Sequence, residues 1–233
     1  MPELWTCVLG TVEYRRAVEL QEQLRARVIA GELPDLLLLL EHPAVYTLGR
    51  RSESGDLPFG EDYWRAQGID VVRTQRGGKL TYHGPGQLVG YPIMHTTDVI
   101  AFLRTMERAI VAALAEEGVA ARGRDHEGPA YTGVWVEDRK IGSIGVHLSK
   151  GVSAHGFAVN VDNDVTPFHQ VVACGLPGVR MTSVAMETAR TGSLPCFRKR
   201  MAHAYAHEHG LRQRIVTPRR LGVAGPASVP SLA

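Results

Sequence analysis

The sequence is poor in cysteine: it has three, Cys7, Cys174 and Cys196, among 233 residues. No two of them have the CxxC spacing of zinc and redox motifs, and an odd number cannot complete a disulfide framework. Disulfide-stabilised secreted scaffolds and zinc-ribbon modules are therefore excluded. We expect the three thiols to be free and the protein to lie in a reducing, cytoplasmic compartment.

Long hydrophobic runs and a strong excess of either charge are also absent. The longest apolar block, residues 36–40, is far shorter than the ~20 residues that span a bilayer. The N-terminus has no basic region followed by a long apolar run, so we expect no targeting signal. The net charge of +2 is too small to indicate a nucleic-acid partner, and the basic run at residues 198–200 is typical of a solvated helix face. We expect neither a membrane nor a nucleic-acid partner.

What the sequence does have is the composition of a globular domain, with 44% hydrophobic and 21% charged residues. Helix and strand patterns are mixed without regular βαβ alternation, which favours an α+β domain built on a mixed sheet. No interior linker divides the chain. We therefore predict one catalytic domain over residues 1–217 and a flexible tail over residues 218–233, which are rich in Pro, Ala, Gly and Ser.

Hydrophobic periodicity predicts the main elements. Helical spacing indicates helices over residues 14–30 and 98–118, the second capped by Asp98, and Ser193 is placed to cap a last helix that ends near residue 209. Strands are predicted over residues 4–9, 36–40, 69–73, 88–93, 132–136, 140–148 and 152–161.

Residues 76–93 are the stretch best suited to binding a ligand, because they combine five glycines, two prolines, two cations and a histidine. Glycine allows close backbone approach and proline fixes φ, so residues 84–86 should hold one defined loop shape. His83, just before this loop, is expected to face a ligand. Residues 41–50, interrupted by a proline and a glycine, are predicted to form a second loop beside the site.

Cys174 is the best candidate nucleophile, because it lies where an apolar run meets a Gly/Pro turn, whereas the other cysteines lie in a strand and a helix. A free cysteine is more often a small buried hydrophobe, and on the residues alone that alternative stays open. A thiol needs a neighbouring base or cation to react at neutral pH, and Lys140, His83 and His155 are the candidates. An exposed strand-edge lysine and a structural histidine are the common alternatives for Lys140 and His155.

Metal and phosphate signals are weak. His203, His207 and His209 lie on the last predicted helix, but no HExxH pattern accompanies them, so a solvated helix face is favoured. Residues 77–80 are not a P-loop, since they lack its glycine spacing and its hydroxyl residue after lysine. Neither ATP nor a metal is demanded by the sequence, and we expect no cofactor.

Six separated motifs occur in a familiar order. In chain order they are EHPAVYTLGR at residues 41–50, RGG at 76–78, TYHGPGQ at 81–87, KIGSIGV at 140–146, HGFAVN at 155–160 and ACGL at 173–176. Together they resemble the lipoyl(octanoyl) transferase family, also called the LipB family, over roughly residues 4–215. Several motifs in order are far more specific than one glycine-rich loop.

The resemblance implies that an octanoyl group moves from acyl carrier protein to a lysine of a lipoyl domain, through an acyl-thioester on a cysteine paired with a lysine. The matching positions are Cys174 and Lys140. Our hypothesis is that Lys140 first favours the Cys174 thiolate and later accepts a proton from the incoming amine. Exchange between thioesters is close to isoenergetic, which agrees with the missing nucleotide motif.

The resemblance also implies a substrate site, a fold and partners. The fold is that of the biotin and lipoate protein ligase catalytic domain, a mixed sheet flanked by helices. The partners are octanoyl-acyl carrier protein, the lipoyl domains of 2-oxoacid dehydrogenase complexes and the glycine cleavage H protein. We expect the enzyme itself to be a monomer. The substrate-binding positions are Arg76, Gly77, Gly78, Lys79, Leu80, Thr81, Tyr82, His83, Gly142, Ser143, Ile144, His155, Gly156 and Phe157.

Two alternatives stay open at this stage. An ATP-dependent lipoate or biotin protein ligase has the same fold but would need a nucleotide and would leave the pairing of Cys174 with Lys140 without a role. A non-catalytic module that binds lipoyl domains or acyl carriers would form no covalent adduct.

Overall fold

The computed structural model describes residues 1–223, which form a large mixed sheet, a small sheet and five α-helices. None of the helices in this part of the chain is long and apolar enough to cross a membrane. The helices are α1 (Tyr14–Ile29), α2 (Gly60–Ala66), α3 (Val99–Ala115), α4 (Val184–Thr188) and α5 (Leu194–Glu208). The strands are β1 (Glu3–Thr11), β2 (Leu36–Glu41), β3 (Val45–Leu48), β4 (Asp70–Arg73), β5 (Leu80–His83), β6 (Gln87–Ile93), β7 (Arg122–Gly123), β8 (Gly133–Val136), β9 (Arg139–Ser149), β10 (Val152–Asn160), β11 (Arg180–Met181) and β12 (Arg212–Ile215).

The large sheet has the strand order β12-β1-β2-β6-β10-β9-β8-β7, with β11 paired to β9. β1 is parallel to both β12 and β2, and the remaining neighbours along this path are antiparallel. The small sheet has the order β4-β3-β5. The predicted mixed α+β architecture is confirmed.

The uninterrupted leucines of β2 follow from burial on both faces of the large sheet. Leu37 and Leu39 pack into the cluster that contains α3 and α5, whereas Leu36, Leu38 and Leu40 pack against α1. Side chains alternate between the two faces of a strand, so a strand covered on both sides is apolar at every position. β2 therefore joins the two halves of the core.

A third cluster holds the small sheet against the turn that follows β10. Tyr46, Trp64, Tyr82 and Phe168 form its centre. Ala173, in a single 3₁₀ turn at Ala173–Gly175, is buried in the same cluster. The turn that carries the predicted nucleophile is thus anchored to the small sheet, whereas the predicted lysine lies on β9 of the large sheet.

Two predicted loops are wrong in part. Within residues 41–50, Val45–Leu48 form β3, which pairs with β4 on one side and β5 on the other. Within residues 76–93, β6 confirms the strand predicted over residues 88–93, whereas β5 was not predicted, so only residues 76–79 and 84–86 are irregular. In both cases non-local strand pairing outweighs the local Gly and Pro signals.

The predicted tail and helix caps have mixed outcomes. Within residues 218–223 of the expected tail, Leu221 is fully buried, and its carbonyl accepts a hydrogen bond of 2.5 Å from Arg27. The rest of that tail, residues 224–233, lies outside the described residues. Asp98 caps α3 as predicted, by accepting the Ala101 N–H at 2.9 Å. At α5 the capping group is instead the carboxylate of Asp162, which accepts the N–H groups of residues 193 and 194.

Gly90 gives a direct test of the sheet register. A Cβ at Gly90 would lie 2.1 Å from Cζ of Phe157, which pairs with it across β6 and β10. We expect Gly90→Ala to lower the free energy of unfolding by about 1–3 kcal/mol, the usual cost of overpacking a core, as measured by urea denaturation. Gly55→Ala is the control, since a Cβ there meets nothing within 4 Å. Equal stability of the two variants would contradict the register.

Candidate active site

A cavity of about 460 Å³ is lined by residues of both sheets. Apolar side chains such as Leu103, Ile144 and Phe157 form part of its wall, and no carboxylate belongs to the lining. This combination suits a ligand with an apolar chain and a carbonyl or anionic group. The cationic wall residues are Arg50, Arg51, Arg76, Lys79, Arg104 and Lys140.

Cys174 lies at this cavity in a strained backbone conformation. Its φ of 57° and ψ of 11° are in the left-handed region, which costs a residue with a side chain roughly 1–2 kcal/mol. Its Sγ lies 3.8 Å from Oγ of Ser143, close enough for a weak hydrogen bond. Gly175 follows, also left-handed, and a Cβ there would lie 2.5 Å from Cδ of Lys79. Such backbone strain is typical of functional sites.

Lys140 is buried, with 2% of its surface exposed. Its Nζ donates a hydrogen bond of 3.1 Å to the carbonyl of Thr132 and lies 5.1 Å from the centre of the Trp135 ring. Gly133 makes room for it, since a Cβ there would lie 2.8 Å from Cε of Lys140. The expectation of an exposed strand-edge lysine is wrong.

A β-bulge determines how Lys140 and Ser143 come to share one cavity. Residues three apart on a regular strand point to opposite faces. Here Gly142 pairs with Val134 while Lys140 pairs with the next residue, Trp135, so β9 carries one extra residue between them. The extra residue turns Lys140 towards the cavity that Ser143 also lines.

Arg76 is a buried cation whose hydrogen-bond acceptors are neutral oxygens. Its guanidinium donates to the carbonyl of Thr47 at 2.5 Å, to the Thr47 hydroxyl at 2.7 Å and to the Gly77 carbonyl at 3.1 Å. Burial lowers the pKa of Arg76, while the ionised forms of Tyr14 and Cys174 act in the opposite direction. Arg76 therefore supplies a fixed positive charge at the cavity that Cys174 also lines.

His155 lies on β10 with a left-handed φ of 57°. Its N–H donates to Oε1 of Gln21 at 2.7 Å, and its Nε2 lies 3.4 Å from Oγ1 of Thr74. Its Nδ1 is buried without a hydrogen-bond partner among the described residues. Burial, aided by the charge of Arg76, lowers the pKa of His155 to about 3. The ring is therefore neutral at physiological pH and can meet a polar ligand atom or water.

A group of aromatic and histidine side chains extends the same wall. His83 lines the cavity as expected, with Nδ1 2.7 Å from Oε1 of Gln87, and burial holds its pKa well below the usual value. Tyr14 stacks on it with ring centroids 5.9 Å apart, and Tyr91 lies 2.7 Å from Nε2 of His42. Tyr14 and Tyr91 are wall residues that the sequence did not indicate, since one begins an ordinary amphipathic helix and the other lies in a buried strand.

The cavity wall includes every predicted site residue except Tyr82 and Gly142. Tyr82 packs instead against Phe168, with ring centroids 5.5 Å apart, because neighbouring side chains on β5 point to opposite faces. Gly142 faces the core, where a Cβ would lie 3.2 Å from Cβ of Val134. Neither residue belongs to the wall of this cavity, and their role in substrate binding stays a prediction.

The helix-face interpretation is confirmed for His203 and His207 but is wrong for His209, whose ring packs against Tyr205 with centroids 4.5 Å apart. His203 and His207 are exposed on α5, with ring centroids 6.4 Å apart. Within residues 1–223 no group of three or more His, Cys, Asp or Glu side chains is arranged to hold a metal ion.

Acidification should destabilise the fold through its buried neutral histidines. The pKa of His155 is about 3 in the folded protein against an ordinary value of 6.5, so the unfolded chain binds more protons between these values. The contribution of His155 to the free energy of unfolding is therefore complete above pH 6.5 and is lost as the pH falls towards 3. Between pH 6.5 and 5.5 the unfolding free energy from urea titrations should fall by about 1 kcal/mol more in the wild type than in His155→Asn.

Asparagine is chosen at position 155 because it tolerates left-handed backbone. His203→Asn is the matched control and should keep the wild-type pH dependence, since His203 is exposed. Identical pH dependence in His155→Asn and the wild type would contradict a neutral, buried ring.

Known proteins share both the sequence pattern and the fold. Residues 13–206 match the family described as lipoyl protein ligase A/B catalytic domain. An octanoyltransferase of Solibacter usitatus is 50% identical over 172 residues, which cover 72% of this chain and 76% of the relative. One of Mycobacterium tuberculosis is 42% identical over 202 residues, which cover 84% of this chain and 83% of the relative.

Two solved structures extend the comparison to the fold alone, because their sequences are only 19% identical. A lipoate-protein ligase A bound with ATP superposes with a TM-score of 0.72, covering 93% of this chain and 89% of the other. A bipartite lipoate protein ligase from Thermoplasma acidophilum gives 0.73, covering 93% and 88%.

The fold and the matched region define the class, a lipoyl protein ligase A/B catalytic domain with its cavity between two sheets. Within this class the chain belongs to the octanoyltransferase family, and it is a transferase enzyme. The family and the ligase-like fold predicted from the sequence are confirmed.

Proposed function

We propose that the enzyme transfers an octanoyl group from octanoyl-acyl carrier protein to a lysine of lipoyl domains, through a thioester on Cys174. The observation that carries this proposal is the meeting of a strained, partly accessible thiol, a buried lysine and a buried guanidinium at one cavity. Thiols, lysines and arginines together supply a nucleophile, a proton acceptor and a fixed positive charge.

In the first step, the Cys174 thiolate attacks the thioester carbonyl of the donor. The bond from carbon to the carrier sulfur breaks, the carrier thiol leaves after taking up a proton, and the octanoyl group remains on Sγ. One thioester replaces another, so no nucleotide has to drive the step. Arg76 provides a fixed positive charge at the same cavity, and Lys140 holds the proton taken from the Cys174 thiol and gives it to the carrier sulfur.

In the second step, the amine of a lipoyl-domain lysine attacks the acyl-enzyme. The new amide bond forms, the bond to Sγ breaks and Cys174 leaves as the thiolate. The incoming amine must lose a proton, and Lys140 is the proposed acceptor, since its Nζ has one protein hydrogen bond and faces the cavity. Thioester to amide is downhill, which makes this step the irreversible one.

The cavity wall is the proposed acyl-substrate site. Its apolar members pack along the chain, while the small residues 77, 78 and 156 leave space beside the backbone. The proposed binding residues are Arg76, Gly77, Gly78, Lys79, Leu80, Thr81, His83, Ser143, Ile144, His155, Gly156 and Phe157.

The wider biology follows from the same proposal. The acceptors are lipoyl domains of 2-oxoacid dehydrogenase complexes and the glycine cleavage H protein, and the enzyme acts as a monomer in the cytoplasm. Three free cysteines suit that reducing compartment. The proposed catalytic domain spans residues 1–217, and Leu221 of the following turn, Pro218–Leu221, packs on it.

The choice of acyl donor tests this function against its rivals. A purified lipoyl domain is incubated with the enzyme and either octanoyl-acyl carrier protein without ATP or octanoate with ATP, and its mass is followed. The proposal predicts octanoylation from the carrier protein alone. Octanoylation only from octanoate and ATP would identify a ligase. No octanoylation from either donor would favour a non-catalytic binding module.

A further inference from the structure

Arg50 and Arg51 are exposed cations of the cavity wall whose side chains have no partner among residues 1–223. Among residues 1–223, no carboxylate lies within 4.0 Å of either guanidinium, and neither side chain makes a hydrogen bond. Two other cations of the wall each pair with a carboxylate. Lys79 pairs with Glu53 at 2.8 Å, and Arg104 pairs with Glu107 at 2.5 Å.

The turn that carries the two arginines is fixed to the glycine-rich loop. The N–H of Arg50 donates to the Arg76 carbonyl at 3.1 Å, and that of Arg51 donates to the Gly78 carbonyl at 3.2 Å. A third bond, from Ser52 N–H to the Gly49 carbonyl at 3.0 Å, closes the turn. The backbone is thus held at the cavity, while both guanidinium groups remain exposed to solvent.

Two adjacent arginines without a counter-ion repel each other, and an anion bound between them removes that cost. Arginine is suited to phosphate in particular, because its planar fork can donate two parallel hydrogen bonds. The wall carries no carboxylate that would repel such a group. A ligand that suits this arrangement carries an anionic group at the exposed edge of the cavity and places its reactive end inside the cavity.

We infer that Arg50 and Arg51 form a phosphate subsite for the arm of the acyl donor. This inference rests on the proposed function, in which the donor is a thioester on a carrier protein. A carrier presents its acyl group on a pantetheine arm with a phosphodiester at the opposite end. When the thioester carbonyl meets Cys174, the phosphodiester stays on the solvent side, where the two arginines lie.

The experiment compares octanoyl-phosphopantetheine with octanoyl-pantetheine, which lacks the phosphate, as donors to Cys174. The rate of acyl-enzyme formation is followed by intact-protein mass spectrometry at low donor concentration. Charged hydrogen bonds to phosphate predict that the wild type reacts about 10- to 100-fold faster with the phosphorylated donor. In the double variant Arg50→Ala, Arg51→Ala this ratio should fall to about one.

Lys199→Ala is the matched control, because Lys199 is an exposed cation on α5 outside the cavity wall, and it should keep the wild-type ratio. A wild-type ratio near one, or a ratio that survives in the double variant, would overturn the subsite. A loss seen only with whole octanoyl-acyl carrier protein would assign the arginines to carboxylates of the carrier and overturn it as well. No acyl-enzyme from any donor would overturn the proposed function and the subsite with it.

Discussion

With Cys174→Ala, we expect no acyl-enzyme and a loss of octanoyl transfer of at least about 10³-fold. The methyl group cannot attack a thioester, so the covalent carrier of the acyl chain is lost. The loss is measured as the rate at which a lipoyl domain gains the octanoyl mass from octanoyl-acyl carrier protein.

Cys196→Ala is the control for this variant. Cys196 is exposed on α5, so its removal should leave both acyl-enzyme formation and transfer intact. Thermal unfolding of Cys174→Ala shows whether the variant is folded, and alanine keeps the left-handed strain of the native residue. A folded Cys174→Ala enzyme with near wild-type transfer would rule out the covalent route.

For Lys140→Met, we expect transfer to fall by about 10²- to 10⁴-fold, the usual contribution of a positioned acid or base. Methionine keeps an apolar stem beside Trp135 but has no group to accept a proton. Quenched-flow measurement of the two half-reactions should show that both slow, with the attack by the lipoyl-domain amine affected most.

Two further variants serve as comparisons for Lys140→Met. Lys199→Met removes an exposed lysine from α5 and should not alter either rate. Gly133→Ala keeps the amine of Lys140 but disturbs its surroundings, since a Cβ would lie 2.4 Å from the Gly142 carbonyl oxygen and 2.8 Å from Cε of Lys140, and we expect a loss of both stability and transfer. Wild-type rates in Lys140→Met would contradict the proposed proton transfer.

Much of the fold could be predicted from the sequence because its signals are local. The periodic helix Tyr14–Ile29 and the strand Val152–Asn160 occur within a residue or two of the expected bounds. The strand Val45–Leu48 could not be predicted, because a proline and a glycine lie on either side of it and its stability comes from pairing with two strands that are distant in sequence. The capping of α5 by Asp162 could not be predicted for the same reason, since Asp162 is distant in sequence from the start of the helix.

The candidate site was less accessible to local reasoning. Isolated residues favoured a buried cysteine and an exposed lysine, and only the order of several motifs pointed to Cys174 and Lys140 as a pair. The bulge beside Trp135 and the left-handed backbone at Cys174 leave no mark in composition or periodicity, yet they determine where the amine and the thiol lie. Motif order can thus indicate which residues act, while the folded backbone determines how they meet.

The most direct measurement traps the acyl-enzyme. The enzyme is mixed with octanoyl-acyl carrier protein in the absence of ATP, separated from the donor, and then supplied with a lipoyl domain that lacks the modification. We predict that one octanoyl mass increment appears on the peptide that contains Cys174 and then passes to a lysine of the lipoyl domain. Octanoylation of the lipoyl domain without any increment on Cys174 would contradict the account.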